Sequence, residues 1–371
     1  MKVNYPIIDG HGHILPDPDQ IPNSIKERGY FDILKLDNKL HMRQSFLNPE
    51  KPWTRPVSHP TFFIKSRLEW MERHNIACTV MITLSQLYCN TVSDNSAAID
   101  IMKFQNDFHL GLQKTYPKQI ICGFVGIPRL LDETCSEIEQ RVKEGLKFLC
   151  LSSHYKRSDG LYVSSTDEYC QKIFELANEL HLPIQIHPYD YEEIFNLADI
   201  DTNWAGHKSP MPALTAHFFD RFMSQGLYTK YPNIRFSLAH GNSVGLLTIG
   251  RQQQAWQARP DLRNKEGDVS PIEALATASN IFVDSIVHDP DLIWLLKRKI
   301  GTKNIIHGID SPYPLGDGID YLNDGVYPGY TLDTAEDLGY ISAEEKKAIF
   351  TENVFAWLHG RDASGQIKMG F

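Results

Sequence analysis

Short apolar runs rich in β-branched residues recur along this chain in alternation with amphipathic stretches, and this alternation constrains the fold more than any other feature. The runs fall at 6–9, 78–83, 120–126, 148–152, 183–187, 234–239, 281–284 and 304–307. Segments of helical period lie between them. Residues 167–180 put Ile173, Leu176 and Leu180 on one stripe, and 290–299 open with Pro290, whose fixed φ suits a first helical turn. Eight βα units predict an α/β fold, a TIM (β/α)8 barrel forming a single domain over 1–371. An open doubly wound sheet is the alternative, but no G-x-G-x-x-G follows the first run to support it. At 371 residues and 42% hydrophobic content, the chain can bury a core of that size.

Two stretches interrupt the alternation. Residues 14–60, rich in Pro, Asp, Lys and Asn with β-like pieces at 31–36 and 40–46, read as an inserted lid or small subdomain after strand one. Residues 188–212 read as a long loop containing Trp204, and a Gly-rich loop after Leu315 leads into one helix over 343–359. The net charge of -9 argues against non-specific nucleic-acid binding, which relies on excess Lys and Arg. Six cysteines without C-x-x-C spacing fit free thiols in a reducing compartment. No stretch approaches the roughly 20 apolar residues of a membrane span, and no leader pattern opens the chain. The expectation is a cytoplasmic protein that uses neither membrane nor nucleic acid.

In a barrel the chemistry gathers at the carboxyl ends of the strands and the loops that follow. His11 and His13 sit at the end of the first run, two apart, and so project the same way. His187 ends the fifth run, His240 follows the sixth and Asp310 follows the eighth. A short His-X-His also occurs on ordinary surfaces, but a scatter of 15 histidines hardly places the whole set at strand ends. Three neutral imidazoles and a carboxylate suit one Zn²⁺ per subunit, or another divalent transition metal, with the remaining histidine free for acid–base work. Two bridged metals would ask for a carboxylated lysine at the end of strand four. That end reads Cys150-Leu-Ser-Ser-His154, so one metal is favoured, with His154 as an alternative ligand. Arg43 and Arg251 are the candidates for gripping a substrate carboxylate through paired hydrogen bonds, against the plain alternative of solvated surface arginines.

The strings Asp9-Gly-His-Gly-His-Ile-Leu-Pro16, Ile186-His-Pro-Tyr-Asp190, Pro210-Met-Pro212, Leu238-Ala-His-Gly241, Ile249-Gly-Arg251, Arg259-Pro-Asp-Leu262, Ile286-Val-His-Asp-Pro290 and Gly308-Ile-Asp-Ser-Pro-Tyr-Pro-Leu-Gly316 span nearly the whole chain. In their content and order the chain resembles the amidohydrolase superfamily, and within it the branch of 2-amino-3-carboxymuconate 6-semialdehyde decarboxylases. The resemblance implies a zinc site of His11, His13, His187 and Asp310, with His240 as the catalytic base. It also implies that Arg43 and, from the neighbouring subunit of a homodimer, Arg251 hold the carboxylates of a small substrate, with Trp204 in the pocket wall. The chain departs from that pattern at His207, at Gly241-Asn-Ser243, at Ser311 and through most of the segment before Trp53. The implied reaction is non-oxidative decarboxylation of that semialdehyde or a related unsaturated or aromatic acid. A metal-dependent hydrolase of a lactone, ester or amide would use the same groups, and a non-catalytic barrel with a structural metal is the remaining alternative.

Overall fold

The computed structural model describes residues 3–46, 48–89, 92–189, 194–196, 198–199, 204–263, 269–317 and 327–368. Each expected apolar run forms a strand: β1 (Ile7–Gly12), β2 (Ile76–Met81), β3 (Ile120–Val125), β4 (Phe148–Ser152), β5 (Ile184–His187), β6 (Phe236–Leu238), β7 (Ile281–Asp284) and β8 (Ile305–Ile306). They pair in parallel in that order. The ring closes between the last strand and the first. Gly10 N–H donates to the His307 carbonyl at 2.7 Å, and Gly12 bridges Ser311.

Parallel strands need long crossovers, and helices supply them. In chain order these are α1 (Ile64–Arg73), α2 (Asn95–Thr115), α3 (Leu131–Glu144), α4 (Glu168–Glu179), α5 (Pro210–Ser224), α6 (Ser243–Ala258), α7 (Pro290–Ile300) and α8 (Ala343–Thr351). Alternation along the strands sorts the core into two shells. Leu149 and Leu151 of β4 pack outward with Ile173 and Phe174 of α4, whereas Phe148 and Cys150 pack inward with Cys78, Val80 and Phe282. Local signals set the helix starts. The Asp167 carboxylate accepts the Tyr169 N–H ahead of α4, and Asp289 caps α7 with Pro290 at its first turn.

The single helix expected over 343–359 is two helices. The chain breaks at Glu352, and α9 (Asn353–His359) turns under the barrel. Trp357 of α9 is fully buried, its ring 4.9 Å from that of Phe148 at the start of β4, and its indole N–H donates to the Arg235 carbonyl just before β6. The amino-terminal mouth is thereby plugged, leaving the carboxyl-terminal mouth for chemistry.

Within 14–60 the two expected β-pieces pair as Asp32–Leu36 and Lys39–Gln44, and a third strand, Trp53–Pro56, extends them into an antiparallel sheet. The expected loop 188–212 is partly helical, with a turn at Ala205–Lys208 and α5 starting at Pro210. Asp190 and residues 318–326 of the Gly-rich loop lie outside the described residues. Among the described residues no helix is long and apolar enough to cross a membrane.

Candidate metal centre and active site

At the open mouth, His11, His13, His187 and Asp310 come together, with one ligand atom from each lying within 4.8 Å of all the others. Their provenance follows from the barrel: β1 ends in His11-Gly12, β5 ends in His187, and Asp310 follows β8. A register shift between Asp9 and Gly12 marks an irregularity where the two histidines emerge. Gly12 separates them because a Cβ there would stand 2.6 Å from the Thr79 methyl. His11 Nε2 and His13 Nε2 face each other at 3.2 Å, and Asp310 Oδ1 lies 3.1 Å from His13 Nε2. All four residues are buried.

The ring nitrogens away from the centre decide which face is free to bind. His187 Nδ1 donates to the Pro188 carbonyl at 2.8 Å, so its Nε2 carries a lone pair, and this buried atom has no partner. His11 Nδ1 meets Asp284 Oδ2 at 2.8 Å, turning its Nε2 inward in the same way. Three imidazole nitrogens and a carboxylate, with His187 Nε2 and Asp310 Oδ1 both buried and without a hydrogen-bond partner, fit a divalent transition metal.

The electrostatics agree. Burial works against protonating His11, but the hydrogen bond to Asp284 and the charges of Asp310, Asp284 and Asp9 outweigh it and raise its pKa. Burial, reinforced by the neighbouring imidazoles, holds His187 well below its ordinary range, and burial lowers His13. For Asp310 burial opposes ionisation, but His13, His240 and His11 beside it hold its carboxyl well below the usual range. Asp310 is thereby held ionised and His13 and His187 neutral, the protonation states in which these side chains can ligate a metal.

His240 stands beside this set, its Nε2 3.8 Å from Asp310 Oδ2 and its ring 5.1 Å from that of His187. At 16% side-chain exposure it is the open member of a buried group. Its backbone lies in the left-handed region (φ 58°), followed by Gly241 at φ 64°. Such a conformation costs about 1–3 kcal/mol for a non-glycine residue and persists only where its surroundings enforce it.

Asp284, which is not among the sequence candidates, enforces it. This buried carboxylate ends β7 and accepts from four donors: His11 Nδ1 (2.8 Å), His240 N (3.0 Å), Gly241 N (2.8 Å) and Ile286 N (3.2 Å). One side chain thus orients a ligand and the neighbouring histidine together. Its terminal position on β7 was the available signal. Two further buried groups brace β1 and were also missed. Arg67 of α1 donates to the carbonyls of His13 (2.7 Å) and Ser311 (3.1 Å), and Asp9 accepts the His11 and Ile309 N–H groups at 3.0 Å each. Burial pushes Asp9 up to about 7 against the pull of Arg67.

The remaining sequence candidates lie outside the four-ligand set. Arg43, on the middle strand of the antiparallel sheet, pairs with Asp32 and Thr54. Arg251 is exposed on α6, one turn beyond the exposed Leu247. Trp204 is half exposed, its ring 5.8 Å from that of His207. His154 is tied into a different pair, its Nε2 2.8 Å from His217 Nδ1, and it does not join the four-ligand set.

Fold and site together define a (β/α)8 barrel with a metal-competent centre at its carboxyl-terminal mouth. The chain belongs to the amidohydrolase family, whose pattern matches residues 105–354. It is 24% identical over 339 residues to a 2-amino-3-carboxymuconate-6-semialdehyde decarboxylase of Dictyostelium discoideum, covering 91% of this chain and 88% of the relative. A relative of the same description from Caenorhabditis elegans is 23% identical over 358 residues, covering 84% and 86%. Among solved structures, a 5-carboxyvanillate decarboxylase from Novosphingobium aromaticivorans with bound manganese superimposes with a TM-score of 0.68 at 17% identity, covering 96% of this chain and 97% of that one.

Proposed function

We propose that this protein is a metal-dependent, non-oxidative decarboxylase of a small unsaturated or aromatic carboxylic acid, with 2-amino-3-carboxymuconate 6-semialdehyde as the first candidate substrate. The observation that carries this reading is His240: an imidazole outside the ligand set, beside it, and held there by Asp284 in a strained backbone conformation. A structural metal site would have no use for such a residue. The decarboxylase relatives supply the reaction class.

His11, His13, His187 and Asp310 would hold the metal, for which we propose zinc; the manganese of the solved relative makes that ion the first alternative. Such an ion supplies Lewis acidity, stabilising negative charge as it develops. His240 moves the proton. When the bond to the carboxylate breaks, its electron pair stays on carbon and CO₂ departs. His240 then returns a proton to that carbon, so that R–COO⁻ and H⁺ become R–H and CO₂. Asp284 keeps His11 and His240 in register through the cycle.

Arg251 is proposed to act in the neighbouring subunit's site of a homodimer. The exposed Leu247, Leu262 and Ile272 on and near α6 supply apolar surface for that contact. Trp204 is proposed for the pocket wall, and the sheet within 14–60 for a lid over the mouth. The test is incubation of the metal-reconstituted protein with the semialdehyde, 2,6-dihydroxybenzoate and 5-carboxyvanillate, trapping CO₂. Metal-dependent CO₂ release supports the reading. A new carboxylate formed from an ester or lactone, with no CO₂ from any acid, would replace it with hydrolysis.

A further inference from the structure

Cross-strand partners in an antiparallel sheet share a face, and the register within 14–60 separates two arginines on that basis. Arg43 pairs with Thr54, whereas its neighbour Met42 pairs with Arg55. Met42 is fully buried in the cluster that includes the barrel interior. Arg55 therefore rises from the face of the sheet turned toward the barrel, and Arg43 from the opposite face. Arg55 also reaches the site. Its guanidinium carbon lies 5.2 Å over the ring of Tyr313, and that ring stands edge-on to the metal-ligand candidate His13 at 4.9 Å.

Tyr313 is a fixed platform. It follows Asp310 by three residues and donates its N–H to the Asp310 carbonyl at 3.0 Å, its hydroxyl donates to Gln86 Oε1 at 3.1 Å, and Phe62 packs against its ring. Among the described residues no carboxylate pairs with Arg55. A guanidinium held over an aromatic ring spends none of its N–H groups on a hydrogen bond to it, leaving the fork that matches a carboxylate. Half-buried, unpaired and beside a site read as handling one carboxylate, it asks for another.

We propose that Arg55, rather than Arg43, is this chain's own substrate-binding arginine, and that it selects substrates bearing a second carboxylate besides the one at the metal centre. The proposal rests on the decarboxylase reading for the place of the first carboxylate. Its test is kept separate by measuring binding instead of turnover.

Metal-loaded protein is titrated calorimetrically with benzene-1,3-dicarboxylate and with benzoate. The unaltered protein is expected to prefer the dicarboxylate. Arg55→Met should weaken dicarboxylate binding by about 10- to 100-fold, the loss of one charge-assisted pair, while benzoate affinity, metal content and the unfolding midpoint hold. Arg55→Lys should keep part of the preference, and Arg43→Met should cost less than Arg55→Met. Dicarboxylate affinity within twofold after Arg55→Met, a larger loss from Arg43→Met, or no preference in the unaltered protein would each overturn the proposal. A preference that Arg55→Met abolishes in a protein that never releases CO₂ would uphold Arg55 and reject decarboxylation instead.

Discussion

Replacing Asp284 by Asn removes one charge and turns one acceptor oxygen into a donor at a position where four N–H groups converge. Oδ2 serves His11 Nδ1 and His240 N, and Oδ1 serves Gly241 N and Ile286 N. Whichever way the amide turns, two buried donors face an NH₂ group. Each orphaned donor costs about 1–3 kcal/mol, so the variant should lose about 2–6 kcal/mol of stability. The second consequence concerns the metal. If the amide NH₂ faces His11, that imidazole changes tautomer and presents a protonated Nε2 to the centre; if the oxygen does, the His240 turn loosens. Partners of this kind typically change metal affinity by about 10- to 100-fold. The assays are competition titration of apo protein with Zn²⁺ or Mn²⁺ and urea unfolding of the same samples. Asp284→Asn with metal affinity within twofold of the unaltered protein, and an unchanged urea midpoint, would refute the role given to this carboxylate.

Three other outcomes are expected. His240→Ala should retain its metal, because the residue stands outside the four-ligand set, yet lose at least about a hundredfold in turnover, and near-normal rates would remove it from proton transfer. If Arg251 serves the neighbouring site, mixing inactive Arg251→Ala with inactive His240→Ala should restore activity, because one site of each mixed dimer then has both groups; no recovery despite subunit exchange would contradict this. His109 is buried with Nδ1 on the Gly123 carbonyl and Nε2 accepting from Gln105, and burial depresses its pKa from 6.5 to about 4. As pH falls the unfolded chain takes this proton first, so stability is full above 6.5, declines by about 1.4 kcal/mol per pH unit down to about 4, then levels. His109→Gln should flatten that decline by one proton's worth in urea unfolding between those limits, and an unaltered slope would show that the imidazole is not held neutral.

The barrel was legible because its strands are buried on both faces and read as continuous apolar runs, and because the metal donors occupy strand ends that the fold itself makes special. What depended on contact between distant strands was not. Asp284 acquires its role only by meeting β1 and the turn after β6, which no local pattern encodes. Trp53–Pro56 was passed over because a short, polar, Pro-flanked strand has little periodicity, and with it went the register that places Arg55 on the barrel side. The break at Glu352 carries neither Gly nor Pro. It follows from the burial of Trp357 against Phe148, a tertiary demand on a segment whose own periodicity runs straight through.

The most direct measurement is turnover of the metal-loaded protein in D₂O containing ¹⁸O-labelled water, with the product read by mass spectrometry. Decarboxylation with His240 returning a solvent-derived proton predicts one CO₂ for each substrate consumed and one deuterium on the carbon that lost it, with no ¹⁸O in the product's retained carboxylates and none of this after His240→Ala. A product that gains ¹⁸O in a new carboxylate, with no CO₂ released, would contradict it.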